Sequence, residues 1–544
     1  MSAECFPITV LPHVSQIYRD YVAMADSPGD APVRRWYGAE PFAGRWVGTA
    51  ASVDHAGLLA DLLESQAVEF GASDATKANI AKLRAGARAV VTGQQVVLFG
   101  GPLLTLLKAA TAIARANEAT RTTGVEHVPV FWLATEDHDL DEVDQVSFLT
   151  KTSVETLRAG LRVAHAVPVG GVVPGPELEA VLDRAGELLE FAPVSEWLRE
   201  CYLAGPDGAR PTLALAFGRL MARIFAEQGL VVMDAASRGF HALGERALRY
   251  AIEHAAELQA ALIARNEELV KAGYHAQVLV AEGGSMLFLL DEGTGERVAL
   301  RRTGNGDAQW KAGGRVYSSA ELIAILETAP ERLSPNALLR PVFQDTLLPT
   351  AAYIGGPAEI AYFAQSAVLY EAILGRITPV LPRLSATLLE PAIAATMDKD
   401  EVQLPDAMTT AEELAQRLGA RAMPIEAKRK LAAVGNAVET ELAALTAYLG
   451  GMDVSLGKSA EVSGSKMLYQ MNRLRRMAAT FELQKEASLR KHAEAITLNV
   501  FPDGHPQERV VAGVWFMAKY GDGLVERLVG VAGNQCPGHV VVRL

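Results

Sequence analysis

Cysteine is scarce in this chain: Cys5, Cys201 and Cys536 are the only three in 544 residues. They are widely separated and match no metal or disulfide spacing, so unpaired thiols and a reduced, cytoplasmic setting are expected. Long apolar runs are also lacking. No stretch approaches the roughly 20 apolar residues of a membrane span. The opening segment MSAECFPITVLPHV has no basic start followed by an apolar core, so no signal peptide is expected. Positive charge is in deficit. A formal net charge of -13 supplies no basic footprint for general nucleic-acid binding, although it leaves room for a local nucleotide site. Three motifs are missing as well. Without GxxxxGK[ST], GxGxxG at a first strand–helix turn, or GxSxG, a P-loop ATPase, a standard dinucleotide dehydrogenase and an α/β hydrolase are set aside.

What is present is ordinary in bulk and specific in pattern. Half of the residues are apolar (50%) and 21% are charged, as in a globular protein, and the length calls for two or three domains. The run Val90-Val91-Thr92-Gly93-Gln94-Gln95, then Leu98-Phe99-Gly100-Gly101-Pro102 to Thr105 and Lys108, reads as a strand handing over to a helix. Such loops carry ligand sites at the carboxyl ends of parallel strands. The paired amides of Gln94 and Gln95 donate and accept at once, which suits carboxylates, hydroxyls and phosphates. Val128–Ala134 reads as a second buried strand, so the two make a βαβ unit with a helix over 102–119.

Thr135-Glu136-Asp137-His138-Asp139 follows that strand, with Asp141 and Glu142 close behind. One imidazole among carboxylates suits a general base whose tautomer a carboxylate fixes, and the acids suit a Mg²⁺ that bridges phosphates. The competing reading is a solvated strand end with helix-capping Asp residues. A third constellation runs from Arg340 through Gln344 and Asp345 to Tyr353, Gly355-Gly356-Pro357, Glu359 and Tyr362. It repeats the Gly-Gly-Pro logic, in which a helix start offers backbone N–H groups to an anion. Arg383 follows the last expected strand and can pair with a carboxylate or phosphate.

Residues 150–340 carry helices over 178–191, 214–228 and 242–272, a strand over 229–234, and a hairpin of 276–281 with 285–291 around Glu282-Gly283-Gly284. Past Pro391, Leu431, Val434, Val438, Leu442, Leu445 and Leu449 recur at helical spacing, as do Met467, Met471, Leu474, Ala478 and Phe481. This is an antiparallel coiled-coil hairpin whose uncovered apolar surface suits a second subunit. The expected organisation is an α/β Rossmann-like parallel-sheet core (1–150, 151–340 with inserted segments, 341–390), an α-helical coiled-coil domain (391–500), and a last segment (501–544) returning to the core. That segment holds a helix over 508–520 and a strand over 539–544.

Five blocks in this order, VVTGQQVVLFGGPLLTLLKA, VPVFWLATEDHDLDEVDQV, LRPVFQDTLLPTAAYIGGPAEIAYFAQ, PVLPRLSATLLE and NVFPDGHPQERV, resemble the bacillithiol biosynthesis cysteine-adding enzyme family over nearly the whole length. The resemblance implies a Rossmann-like core with connecting-peptide insertions, a C-terminal coiled coil and a homodimer. It implies a ligase that joins L-cysteine to the amine of glucosaminyl-malate in the last step of bacillithiol synthesis, with ATP as the activating co-substrate and Mg²⁺ alongside it. On this reading Glu136, Asp137, His138 and Asp139 are the catalytic group, His138 deprotonating the amine while Asp137 or Asp139 orients it. Thr92, Gly93, Gln94, Gln95, Phe99, Gly101, Gln344, Asp345, Tyr353, Gly355, Gly356, Glu359 and Arg383 are the expected substrate contacts. Lys466, Tyr469 and Arg473 are expected at a nucleotide near the coiled coil. No resident metal site, nucleic acid or membrane is expected. The alternatives from other classes are a metal-dependent hydrolase of a small amide and a non-catalytic coiled-coil assembly protein.

Overall fold

The computed structural model describes residues 3–26, 32–39, 41–42, 46–47, 53–205, 208–281, 283–303, 309–521 and 523–544. They form two compact units. The first takes its residues from Met1–Phe148, Glu155–Thr387 and Glu508–Val542, the second from Leu149–Val154, Leu388–Gln507 and Arg543–Leu544.

The first unit is built on a five-stranded parallel sheet in the order Val380–Pro382, Thr350–Gly355, Arg88–Gln94, His127–Leu133, Val231–Asp234. The β-branched run Val90-Val91-Thr92 makes the Arg88–Gln94 strand central, and the His127–Leu133 strand is buried along its whole length, as a sheet covered on both faces requires. The helix Leu104–Thr123 connects these two strands and stops at Gly124, whose φ of 69° is left-handed. From the central strand the chain proceeds first toward His127–Leu133 and later, on the other side, to Thr350–Gly355. The topological switch point therefore lies between Gln94 and Gly355, where open α/β sheets bind ligands.

Between the third and fourth core strands the chain inserts an antiparallel sheet: Arg315–Ser318, Gln309–Ala312, Arg297–Thr303, Gly284–Leu290 and Leu333–Pro335. The expected hairpin is corrected here. Glu282 lies outside the described residues. Gly284–Leu290 pairs with Arg297–Thr303 and Leu333–Pro335, not with residues 276–281. Both backbone groups of Val278 are taken by the Gln365 amide, which leaves them no strand partner. The long helix expected over 242–272 is two, Glu245–Glu253 and Ala255–Lys271. The helix expected over 508–520 is also two, Gln507–Val510 and Gly513–Tyr520, because Val511 and Ala512 bridge to Ser147 and Pro102.

The thiol expectation is overturned more sharply. Ala3–Phe6 pairs antiparallel with His539–Arg543, and Cys5 is joined to Cys536 by a disulfide that spans 531 positions. Only Cys201 is free among the described residues, and it is buried. Strand pairing between the two ends brings the sulfurs together, which spacing along the sequence cannot show.

The second unit is helical: Ala411–Ala422, the hairpin Ile425–Met452 and Val454–Lys485, then Ala487–Val500. Only Asp453 separates the two hairpin helices, and it caps the second by accepting from the Ser455 and Leu456 amides. A Cβ on Gly457 would stand 2.7 Å from Gly450 Cα, so glycine permits this tight return. Val434, Leu445, Met467, Leu474 and Phe481 remain exposed on the hairpin. No helix among the described residues is long and apolar enough to cross a membrane.

Candidate active site

A cavity of about 760 Å³ opens at the switch point. Its floor is the central strand end, Gly93-Gln94-Gln95. One wall is Thr135-Glu136-Asp137-His138 with Glu142, the opposite wall is Gly356 to Glu359 with Tyr353, and the inserted sheet contributes Phe288 and Arg297. Of the expected site residues, Gly93, Gln94, Gln95, Glu136, Asp137, His138, Tyr353, Gly356, Glu359 and Arg383 line this cavity. Gly93 fits because a Cβ there would press to 3.0 Å from the Trp132 carbonyl oxygen.

A buried charge network organises one side. Lys108 Nζ donates to the Gly93 carbonyl at 2.6 Å and to Gln94 Oε1 at 3.0 Å, and pairs with Glu359 Oε2 at 2.6 Å. Glu359 also accepts from the Gly356 amide at 2.7 Å and from the Tyr353 hydroxyl at 2.6 Å. Burial alone would raise the Glu359 carboxyl; Lys108 overcomes that and holds it below the usual carboxylate range. Desolvation lowers Lys108 in turn. The Gly-Gly-Pro helix start thus has its anion already: the Glu359 carboxylate sits on the Gly356 amide.

The acidic wall has three distinct carboxylates. Asp137 accepts from Gln95 Nε2 and from the His138 amide, each at 2.7 Å. Glu136 Oε1 lies 2.9 Å from Nε2 of His241. Glu142 is raised above the usual carboxylate range by burial and then by the negative charges of Asp139 and Asp137. His138 has two charged neighbours at one ring nitrogen. Its Nδ1 lies 3.3 Å from an Arg297 Nη1 and 3.7 Å from Asp137 Oδ1.

Three arginines reach the cavity without a carboxylate partner among the described residues. Arg297 lies over the Phe288 ring at 3.7 Å and donates to Ser334 Oγ and the Pro335 carbonyl. Arg340 donates to Tyr353, Tyr362 and Gln344. Arg509 is the third. Arg383, by contrast, is neutralised by Glu508 at 2.7 Å. That pair belongs to a buried set in which Ser385 bridges Glu508 to His539 Nδ1.

The remaining expected residues stand elsewhere in the structure. Thr92 donates across the sheet to the Ile354 carbonyl. Asp345 accepts from Tyr370, Thr378 and Gln344 in a fully internal cluster, which occupies Gln344 as well. The Phe99 amide donates to the Tyr202 hydroxyl, and Gly101 adopts a φ of 70° against Val97. Gly355 lends its carbonyl to the Arg383 amide. Asp139 caps Leu140–Val143 through the Glu142 amide. In the second unit Lys466, Tyr469 and Arg473 are exposed on Val454–Lys485. A separate cavity of about 370 Å³ in that unit is lined instead by Arg417, Lys428, Arg475 and Arg476 around an apolar floor. Among the described residues no group of three or more His, Cys, Asp or Glu is arranged to hold a metal.

Arg297 and His241 were not anticipated, and Arg509 lay inside the last quoted block without an assigned role. Lys108, Arg340, Tyr362 and Glu142 lay inside the motifs without an assigned role. For Lys108, Arg340 and Tyr362 the signal was a charged or hydroxyl side chain beside apolar neighbours; Glu142 was one more acid in an acidic run.

A parallel α/β sheet with a cavity lined by charged side chains at its switch point defines a Rossmann-like domain. The chain belongs to the bacillithiol biosynthesis BshC family: residues 1–384 match its N-terminal Rossmann-like domain and residues 386–544 its C-terminal coiled-coil domain. It is similar to the protein named "Putative cysteine ligase BshC" of Koribacter versatilis, 40% identical with all of both chains covered. Proteins of the same name from Solibacter usitatus (37% identical, 84% of each chain) and Chlorobaculum tepidum (32% identical, 89% of this chain and 88% of that one) are also similar.

Proposed function

We propose that this chain is a cytoplasmic ligase that joins the carboxyl group of L-cysteine to the amine of glucosaminyl-malate, completing bacillithiol, with Mg-ATP activating the carboxyl. The observation that carries the reading is the set of charged side chains that line the cavity. Carboxylates line one wall, and Arg297, Arg340 and Arg509 have no carboxylate within ion-pair distance among the described residues. Such a cavity suits a pair of substrates that bring an amine, a malate dicarboxylate and, on activation, phosphate.

An amide forms from a free acid and an amine to a useful extent only after activation. The bond formed is between the cysteine carbonyl carbon and the glucosaminyl nitrogen; the bond broken is the one from that carbon to the activating phosphate oxygen. The amine proton needs an acceptor. Glu142 has the basicity for it, because burial and its acidic neighbours raise it. His138, with Arg297 3.3 Å and Asp137 3.7 Å from its Nδ1, is a second group placed to exchange a proton with the amine or the leaving phosphate. Gln94 and Gln95, held by Lys108 and Asp137, fix the substrate's hydroxyl and carboxyl groups. Lys466, Tyr469 and Arg473 remain the proposed contacts of a nucleotide on the coiled coil. The exposed stripe of Val434, Leu445, Met467, Leu474 and Phe481 supports a homodimer formed there.

The test is mass spectrometry of the full chain incubated with cysteine, glucosaminyl-malate and Mg-ATP, with ATP omitted in parallel. A product heavier by one cysteinyl residue, dependent on ATP and accompanied by AMP or ADP, supports the ligase. No product with all three present overturns it.

A further inference from the structure

His241 is a buried imidazole for which the reaction so far has no use. It sits on the short helix Arg238–Leu243 and is 0% exposed. Its ring packs against Phe343, with centroids 5.2 Å apart. Its Nε2 meets Glu136 Oε1 at 2.9 Å, and Glu136 lines the cavity with 17% of its side chain exposed. The other charged groups that act on this imidazole are Glu331, from the segment Pro330–Arg332, and Asp234, at the end of the Val231–Asp234 strand. All are acidic, so the pocket favours the protonated ring. Burial lowers His241, but Glu136 overcomes it and the net shift is upward.

With His241 behind it, the Glu136 carboxylate is fixed in the wall of the cavity it lines. Arg297 is close enough to act on both Glu136 and Asp137, and its guanidinium is fixed by Ser334, Pro335 and the Phe288 ring. A fixed anion and a fixed guanidinium side by side match one ligand feature: the adjacent ammonium and carboxylate of an α-amino acid.

We propose that Glu136 and Arg297 form an α-amino-acid head-group subsite in which Glu136 takes the ammonium and Arg297 the carboxylate, and that His241 is the positioning residue that holds Glu136. The proposal rests on the ligase reading for the identity of the amino acid as cysteine, but its geometry does not depend on any turnover.

The full chain is titrated calorimetrically with L-cysteine and with 3-mercaptopropionic acid, which lacks only the ammonium. Wild type binds L-cysteine about tenfold or more tightly than the analogue, the ratio expected for one charge-assisted hydrogen bond. Glu136→Gln abolishes that preference. His241→Gln cuts L-cysteine affinity several-fold and leaves the analogue unchanged. A preference that survives Glu136→Gln or His241→Leu overturns the subsite. Because a variant at so buried a position can unfold, the wild-type chain labelled at its histidine nitrogens is examined by NMR as well. Displacement of one solvent-protected imidazole signal by L-cysteine and not by the analogue supports the proposal; no displacement overturns it. Product formation by a His241→Leu chain with unaltered cysteine preference defeats the subsite alone. A preference that needs Glu136 and His241, in a chain that makes no product, defeats the ligase reading alone.

Discussion

At the scale of single residues, Lys108 and Glu359 have the most to lose. Both are buried, and each satisfies backbone groups that close the strand ends around the cavity. Glu359→Gln leaves the ammonium without its counter-charge, and a broken buried pair costs about 3–5 kcal/mol. Chemical denaturation of the variant reads this directly. Glu142→Gln should fold normally and lose about 10²-fold or more in turnover, the share expected of a general base. Wild-type kcat should rise with pH through a raised carboxyl group, and this limb should vanish in Glu142→Gln. His539 gives a stability limb of its own. Burial pushes it down to about 4. The unfolded chain takes up a proton near 6.5 that the folded chain refuses, so stability is full above about 6.5 and falls as pH drops toward 4. Melting temperatures across that range should decline, and less steeply in His539→Gln.

At the scale of elements, the hairpin of the second unit depends on Gly450 and Gly457. Their backbones meet so closely that Gly457→Val has no flexible neighbour to displace. Splaying of Ile425–Met452 from Val454–Lys485 is the expected result. Sedimentation of the wild type should give twice the chain mass of 58.1 kDa, and the variant should show a weakened dimer. The same scale explains what could be read from the sequence. The two strand–turn–helix junctions at Gln94 and Gly356 were legible because each carries its own punctuation of β-branched run, glycine and proline. The acidic wall was legible because five polar residues follow directly on a buried strand. Arg297 was not, because it reaches His138 from a strand 159 positions away and looks locally like any basic residue of an exposed sheet. His241 was hidden similarly, as one histidine in a short helix. Asp345 was misleading for the opposite reason: a carboxylate in a motif-rich segment was fully used by Tyr370 and Thr378. The hairpin around Gly283 failed because a side-chain amide, that of Gln365, took the place of a neighbouring strand.

At the scale of the whole molecule, the bridge between Cys5 and Cys536 fastens the first strand to the last. Thiol titration under denaturing, non-reducing conditions should count one thiol, that of Cys201, and three after reduction. Removing a native cross-link typically costs about 2–5 kcal/mol, so reductant or Cys5→Ser should lower the melting temperature by several degrees. Such a bridge also changes what kind of object the chain is. With its two ends locked side by side, the covalent path is a ring rather than a line. One proteolytic nick in a surface loop of the first unit would leave a single molecule that migrates intact until reductant is added. The same ring can be reopened elsewhere: a gene in which a short peptide links the two ends, and translation starts in an exposed loop, should yield a permuted chain with the same switch-point cavity.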